Sequence, residues 1–373
     1  MGLVASAGWG RPRPVGGTMS RRRARDLPRR RCVQRRVVTG CSHDATLVSE
    51  RMASPYGPMR MIVNPQAGRG AIGRALPRIK EVVEAEELEY EIVETTTPGH
   101  AQELARAAVE SGCTFVVAVG GDGTVHEVVN GLMGEEGPIA PDAVLGVVPS
   151  GSGSDFVKTF GLPTVPEEAA RNLAGKNVWG ALDIARVRFR GEDGSEKMRW
   201  FANIAEAGIG AHVVVSASKM PRWLGGRAYR LAALRAIIGY RPQAGHLDFN
   251  GRKGRGVRPD TPLEPGKHSG VFTMVVVANC QFYGGGLRVA PRAIPSDGML
   301  DVLVGEGTKR DALAALRKMP MGAHVPSKIF SEYLVDRVTL DGREPMLLEA
   351  DGEPLGTTPA HFDLVKGAIR LKV

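Results

Sequence analysis

One stretch constrains this chain more than any other. Five apolar residues, 115–119, run straight into Gly120-Gly121-Asp122-Gly123-Thr124, and a helical pattern starts at Val125. A continuous apolar strand suits a parallel sheet covered on both faces. In such a sheet a glycine turn between strand and helix falls at the carboxyl edge, where ligands bind. Two more strands end alike: 59–63 in Asn64-Pro65, and 143–148 in Pro149-Ser150-Gly151-Ser152-Gly153. Strand 90–93 and the helical spacings of 72–83, 101–110 and 125–132 complete a βαβαβαβ order. The pattern predicts an α/β fold: a doubly wound nucleotide-binding domain over residues 59–180.

Beyond residue 180 strand-like runs dominate: 182–189, 198–204, 245–250, 271–279, 299–304, 337–340, 346–349 and 368–373. Helices are expected at 228–238 and 310–318, and an exposed loop at 251–270. These runs predict a mainly antiparallel β-sandwich domain over 181–373, its last strand a candidate to return toward the first domain. The longest apolar runs, such as 271–280, fall short of the roughly 20 residues of a membrane-spanning helix.

The net charge of +9 belongs to one end. Residues 1–58 hold twelve arginines, no lysine and three acids, so the remaining chain is neutral. The basic pI therefore says nothing about a nucleic-acid groove in the folded part, and no nucleic-acid partner is expected. The extension reads as disordered. Its functional readings are contact with anionic lipid or nucleic acid, an organelle transit peptide, or the short myristoylation pattern at Gly2. The alternative is a start at Met52 or Met59. Four cysteines without a CxxC pair point away from a disulfide or zinc scaffold and toward a reducing cytoplasm.

The chemistry sits in the glycine loops. Glycines let the backbone approach a phosphate, and the N–H groups opening the helix at Val125 point at the anion. Asp122 sets a carboxylate beside it, suited to Mg²⁺ or to a proton. An ordinary tight turn is the bland alternative. His126, on the first helical turn, reads as structural.

Residues 120–133, GGDGTVHEVVNGLM, resemble the nucleotide-binding signature of the diacylglycerol kinase catalytic-domain family, which includes YegS-like and sphingosine kinases. Asn64-Pro65-Gln66-Ala67-Gly68 resembles its NPxxG loop, PSGSGSDF at 149–156 its PxGTGNDF loop, and Asp351-Gly352-Glu353 its DGE motif. Ser152 and Ser154 depart from the family's Thr and Asn: Ser152 keeps a hydroxyl for a phosphate, and Ser154 lacks the side-chain amide.

The resemblance implies an ATP-dependent lipid kinase acting on a hydroxyl of diacylglycerol or a sphingoid-type lipid at a membrane surface. ATP and Mg²⁺ are the implied cofactors, with cytoplasmic placement, peripheral membrane association and a candidate homodimer. Nucleotide contacts would come from Asn64, Pro65, Gln66, Ala67, Gly68, Thr95, Gly121, Asp122, Gly123, Thr124, Val125, His126, Glu127 and Ser152. Glu353 would take the acceptor proton, with Asp351 beside it. Asp122, Asp155 and Asp183 would organise a catalytic Mg²⁺. Asp297, with the carbonyls of Ile294 and Met299, would hold a structural one. Two rivals remain. An NAD kinase shares GGDGT, and a lipid-binding paralogue would have lost turnover.

Overall fold

The computed structural model describes residues 56–57, 59–151, 153–219, 236, 239–254 and 262–373. The basic extension, Ser152 and nearly all of the helix expected at 228–238 lie outside them.

The first half builds a parallel sheet from β1 (Met59–Val63), β2 (Tyr90–Glu94), β3 (Phe115–Gly120) and β4 (Val144–Pro149), in the order β2-β1-β3-β4. Alternation along the strands sends side chains to both faces. Met61, Val63, Val117 and Val119 pack on one face under α1 (Ala67–Ala85). Ile62, Val116 and Ala118 pack on the other under α2 (His100–Glu110) and α3 (Asp122–Leu132). Two covered faces leave the carboxyl edge as the place where polar loops can gather.

Two short helices that carry no clear period follow, α4 (Asp155–Thr159) and α5 (Pro166–Arg171). The chain then turns to β5 (Val178–Arg190), β6 (Glu196–Phe201), β7 (Ile204–Gly208) and α6 (Ile209–Ser218). A mostly antiparallel region completes it: β8 (Gln243–Lys253), β9 (Glu264–Phe272), β10 (Met274–Ala278), β11 (Leu300–Gly305), α7 (Lys309–Lys318), β12 (Phe330–Gly342), β13 (Leu347–Ala350) and β14 (Glu353–Lys372). Inward residues of these strands, among them Val187, Phe201, Leu247, Val302, Val338 and Phe362, form one core.

β14 joins the halves. It runs antiparallel to β13, β12 and β5, and its last residues pair in parallel with β4, Arg370 opposite Val144.

Three expectations change. The run 198–204 is two strands, because the N–H groups of Ala202 and Asn203 leave the ladder and donate to Asp351. The run 271–279 breaks at Thr273, whose hydroxyl donates to the Gly307 carbonyl while its own carbonyl accepts from Ile209. Much of the expected loop 251–270 is strand: β8 and β9 pair from Gln243–Phe272 to Gly251–Glu264. Pro265 is tolerated there because β9 ends the strand order as an edge.

Candidate active site

Three loops meet at the carboxyl edge. Asn64 follows β1, and its side-chain oxygen accepts the Gln66 N–H at 3.1 Å while its amide donates to Thr124 Oγ1 at 3.3 Å. Beyond it Gly68, Arg69 and Gly70 all take left-handed conformation, with φ of 60°, 59° and 78°. Arg69 holds that geometry at a cost of ~1–2 kcal/mol. A β-carbon on Gly68 would stand 3.0 Å from the Ser150 carbonyl, so glycine lets the first and third loops touch. Ser150 in turn donates its N–H to the Gly120 carbonyl at 2.8 Å. Thr95 follows β2 on the same edge, its N–H donating to the Val63 carbonyl.

The space in front of these loops is one that side chains would fill. A β-carbon on Gly121 would meet only Ser150 Oγ, at 3.5 Å, and one on Gly151 or Gly153 would meet nothing within 4 Å. Together with the opening N–H groups of α3 this is a cradle fit for a phosphate chain.

Asp122 turns away from that space toward α4. Its carboxylate accepts the N–H of Asp155 at 2.9 Å and that of Phe156 at 3.2 Å. It thereby caps a helix whose own N-cap residue, Ser154, makes no cap bond. Burial pushes the Asp122 carboxyl up to about 6, against the pull of those two N–H groups. Glu127 does likewise for α2, accepting the N–H of Gly99 at 2.9 Å and of Ala101 at 3.0 Å.

The DGE motif reaches this edge from the second half. Asp351, at φ 51°, accepts three backbone N–H groups, from Ala202, Asn203 and Ile204, at 3.0–3.1 Å. Its Oδ2 also lies 3.0 Å from Nδ1 of His126, and both side chains are 5% exposed. Asn130, one turn on, bridges the carbonyls of His126 and Trp200. Glu353, two residues past Asp351, brings its Oε1 within 3.2 Å of where a β-carbon on Gly123 would be. Lost hydration raises its carboxyl above the ordinary range, opposed by the nearby His126.

The three carboxylates expected to share a catalytic Mg²⁺ have different partners. Asp155 pairs with Lys158 Nζ at 2.7 Å and accepts the Gly285 N–H, while Asp183 accepts those of Gly298 and Gly367. Among the described residues no three acidic, His or Cys side chains converge as a metal ligand set. The arrangement does not fit a three-carboxylate centre, because the three side chains do not converge on one point. The Asp297 turn is different. Asp297 Oδ1 accepts the Met299 N–H at 3.1 Å and the Ile294 carbonyl accepts the Asp297 N–H at 3.3 Å. One carboxylate with two carbonyls is a hard-oxygen set that suits Mg²⁺ completed by water.

Two features escaped sequence reading. The first is a largely apolar cavity in the second half, lined by residues such as Ile209, Val213, Met274 and Phe330, with Glu206 and Glu306 also in its wall. The second is the tie from His126 to Asp351, which spans 225 residues of chain and has no local signal.

Comparison with known proteins agrees with this architecture. Residues 58–187 match the diacylglycerol kinase catalytic domain, and residues 203–373 match the YegS C-terminal NAD kinase beta sandwich-like domain. A Chromohalobacter salexigens protein named "Probable lipid kinase YegS-like" is 32% identical over 306 residues, 79% of this chain and 88% of its own. A diacylglycerol kinase of Mycobacterium tuberculosis is 29% identical over 332 residues, 84% of this chain and 94% of its own. A solved diacylglycerol kinase structure from Bacillus anthracis str. Sterne has the same fold, with TM-score 0.58 and 20% identity over 84% of this chain and 96% of that one. With the phosphate cradle, the DGE turn and both halves matched in order, the chain belongs to the YegS/diacylglycerol kinase-like family of lipid kinases.

Proposed function

We propose that this protein transfers the γ-phosphoryl group of ATP to a hydroxyl of a lipid, of diacylglycerol or sphingoid type, at a membrane surface. The observation that carries the reading is the meeting of Glu353 with Gly123. A carboxyl poised to take a proton stands against the loop that would hold the phosphates.

The roles assigned are these. Asn64, Gly68, Gly121, Gly123, Thr124 and Thr95, at the carboxyl edge of the sheet, are assigned to the nucleotide, as is Ser152 from its place in the sequence between Gly151 and Gly153. Glu353 accepts the acceptor's proton as the lipid oxygen attacks the γ-phosphorus and ADP leaves. A carboxyl raised above its usual range is better matched to that transfer near neutral pH. Asp351 is assigned a positioning part: its oxygens hold three backbone N–H groups and His126, which fixes the turn. Asp122 shapes the phosphate loop by tying it to α4. Mg²⁺ carried with ATP would neutralise the transferred charge. Asp297, Ile294 and Met299 would hold a second, structural ion.

The largely apolar cavity supports a lipid acceptor, since walls of Val, Leu, Met and Phe can take an acyl chain. No helix among the described residues is long and apolar enough to cross a membrane.

The test is incubation of the full chain with γ-labelled ATP and a lipid panel in detergent, read by mass spectrometry. Phosphorylated lipid is the expected product. Label on NAD and on no lipid overturns the reading.

A further inference from the structure

The turn that carries Glu353 has another acid just before it. Antiparallel pairing of β13 with β7 sets Glu349 directly opposite Glu206. Glu349 is wholly buried and Glu206 is 2% exposed. Each carboxylate accepts one backbone N–H, Glu206 from Gly210 at 2.7 Å and Glu349 from Gly352 at 2.9 Å. Oε1 of Glu349 has no partner of normal geometry; the Tyr283 side chain is the group that faces this carboxyl. No cation among the described residues balances either acid.

Two carboxyls side by side without a cation cannot both be charged. Burial and the neighbouring Glu206 hold Glu349 well above the carboxylate range, and burial holds Glu206 up at about 7. Apolar residues would suit this place in the sheet better, because buried ionisable groups are often replaced by packed apolar ones at no loss of stability. Stability therefore does not explain the pair. Its position does: Glu206 lines a largely apolar cavity beside Ile209, Val213 and Met274, and the other acid of that lining, Glu306, is already paired with His268 at 3.0 Å.

We infer that the Glu206–Glu349 pair is the polar anchor for the acceptor lipid, recognising an O–H or N–H donor that the lipid carries in addition to the hydroxyl being phosphorylated. The inference rests on the proposed kinase reading and narrows its substrate class. A monoacylglycerol has a second hydroxyl and a long-chain amino alcohol has an ammonium group; diacylglycerol has neither. Glu206 meets the donor at the cavity wall. Glu349 stands behind it and holds Gly352, the residue before Glu353. Recognition on β7 is thus linked through Glu349 to the turn that carries the proton acceptor.

The test compares the full chain with Glu206→Leu and Glu206→Gln. Binding of mono-oleoylglycerol, a long-chain amino alcohol and dioleoylglycerol is measured in detergent without ATP, and transfer rates are measured with it. The parent is expected to bind at least one donor-bearing lipid tenfold or more tightly than dioleoylglycerol. Preference for the amino alcohol alone identifies ammonium as the donor; preference for mono-oleoylglycerol identifies hydroxyl. Glu206→Leu should lose the preference while melting at the same temperature or higher, and Glu206→Gln should retain hydroxyl recognition only. Equal binding of dioleoylglycerol by the parent, an intact preference in Glu206→Leu, or a melting point several degrees lower in that variant overturns the inference. Absence of transfer to every lipid defeats the kinase reading instead, and leaves the binding comparison readable.

Discussion

Oε1 of Glu353 stands 3.2 Å from the position a β-carbon would take on Gly123, so the last motif of the second domain closes on the first turn of the phosphate helix. Gly123 lies inside α3 and does not need positive φ. Alanine there is favoured for helix by about 1 kcal/mol over glycine, yet its methyl group would press on Glu353. Gly123→Ala is expected to melt at the parent's temperature or above while losing tenfold or more in transfer rate. Melting curves beside rate measurements check this. Full activity would show that Glu353 need not stand where it does.

Asp122 gives a prediction with a pH sign. Its carboxyl sits at about 6 when folded and at 3.8 without the fold. In that window the folded chain holds more protons than the unfolded one. The group's favourable contribution is complete below pH 3.8 and is lost as pH rises through 6. Asn does not titrate, so the melting temperature of Asp122→Asn, relative to the parent, should climb between pH 4 and pH 7. Turnover should fall about 100-fold, because the phosphate loop loses its tie to α4 and the nucleotide is misplaced. A flat difference across pH would contradict the burial-driven shift.

Much of the nucleotide half was legible because its signals are local. Apolar strands run into glycine loops, and the loops at Asn64, Gly120 and Pro149 gather on one edge because parallel strands all end there. The second half was less legible where distant groups decide. Ala202 and Asn203 read as strand until Asp351, almost 150 residues away, takes their N–H groups. Asp183 alone reads as a surface aspartate, yet it is buried and its carboxylate accepts the N–H groups of Gly298 and Gly367, more than 100 residues away. Glu206 and Glu349 carry no motif at all; only strand register makes them a pair.

The bond between His126 and Asp351 should matter to stability first. His126→Ala removes one partner of a buried carboxylate, which costs about 1–3 kcal/mol. Asp351→Ala should cost more, since it strands three backbone N–H groups away from water. In His126→Ala, kcat should drop while ATP affinity stays near the parent's, because the DGE turn shifts and the phosphate cradle does not. Denaturant unfolding and ATP titration separate the two effects. An unchanged midpoint in either variant would contradict the positioning part given to Asp351.

The Asp297 turn predicts a metal response. A cation that binds only the folded chain stabilises it by mass action. The parent's melting temperature should rise with Mg²⁺, and Asp297→Asn should lose most of that rise. Calcium, larger and less strict in geometry, offers a second readout of the same site. An identical Mg²⁺ response in parent and variant removes the site.

The proton acceptor is the centre of the proposed chemistry, and Glu353→Gln tests it most directly. Glutamine keeps the shape against Gly123 and cannot take a proton. Transfer from labelled ATP to lipid should fall at least 100-fold, with ATP affinity and melting temperature near the parent's. The parent's rate should also rise with pH as Glu353 loses its proton above the ordinary carboxylate range, and Glu353→Gln should lack that limb. Parent-like transfer by a correctly folded Glu353→Gln protein would contradict the assignment.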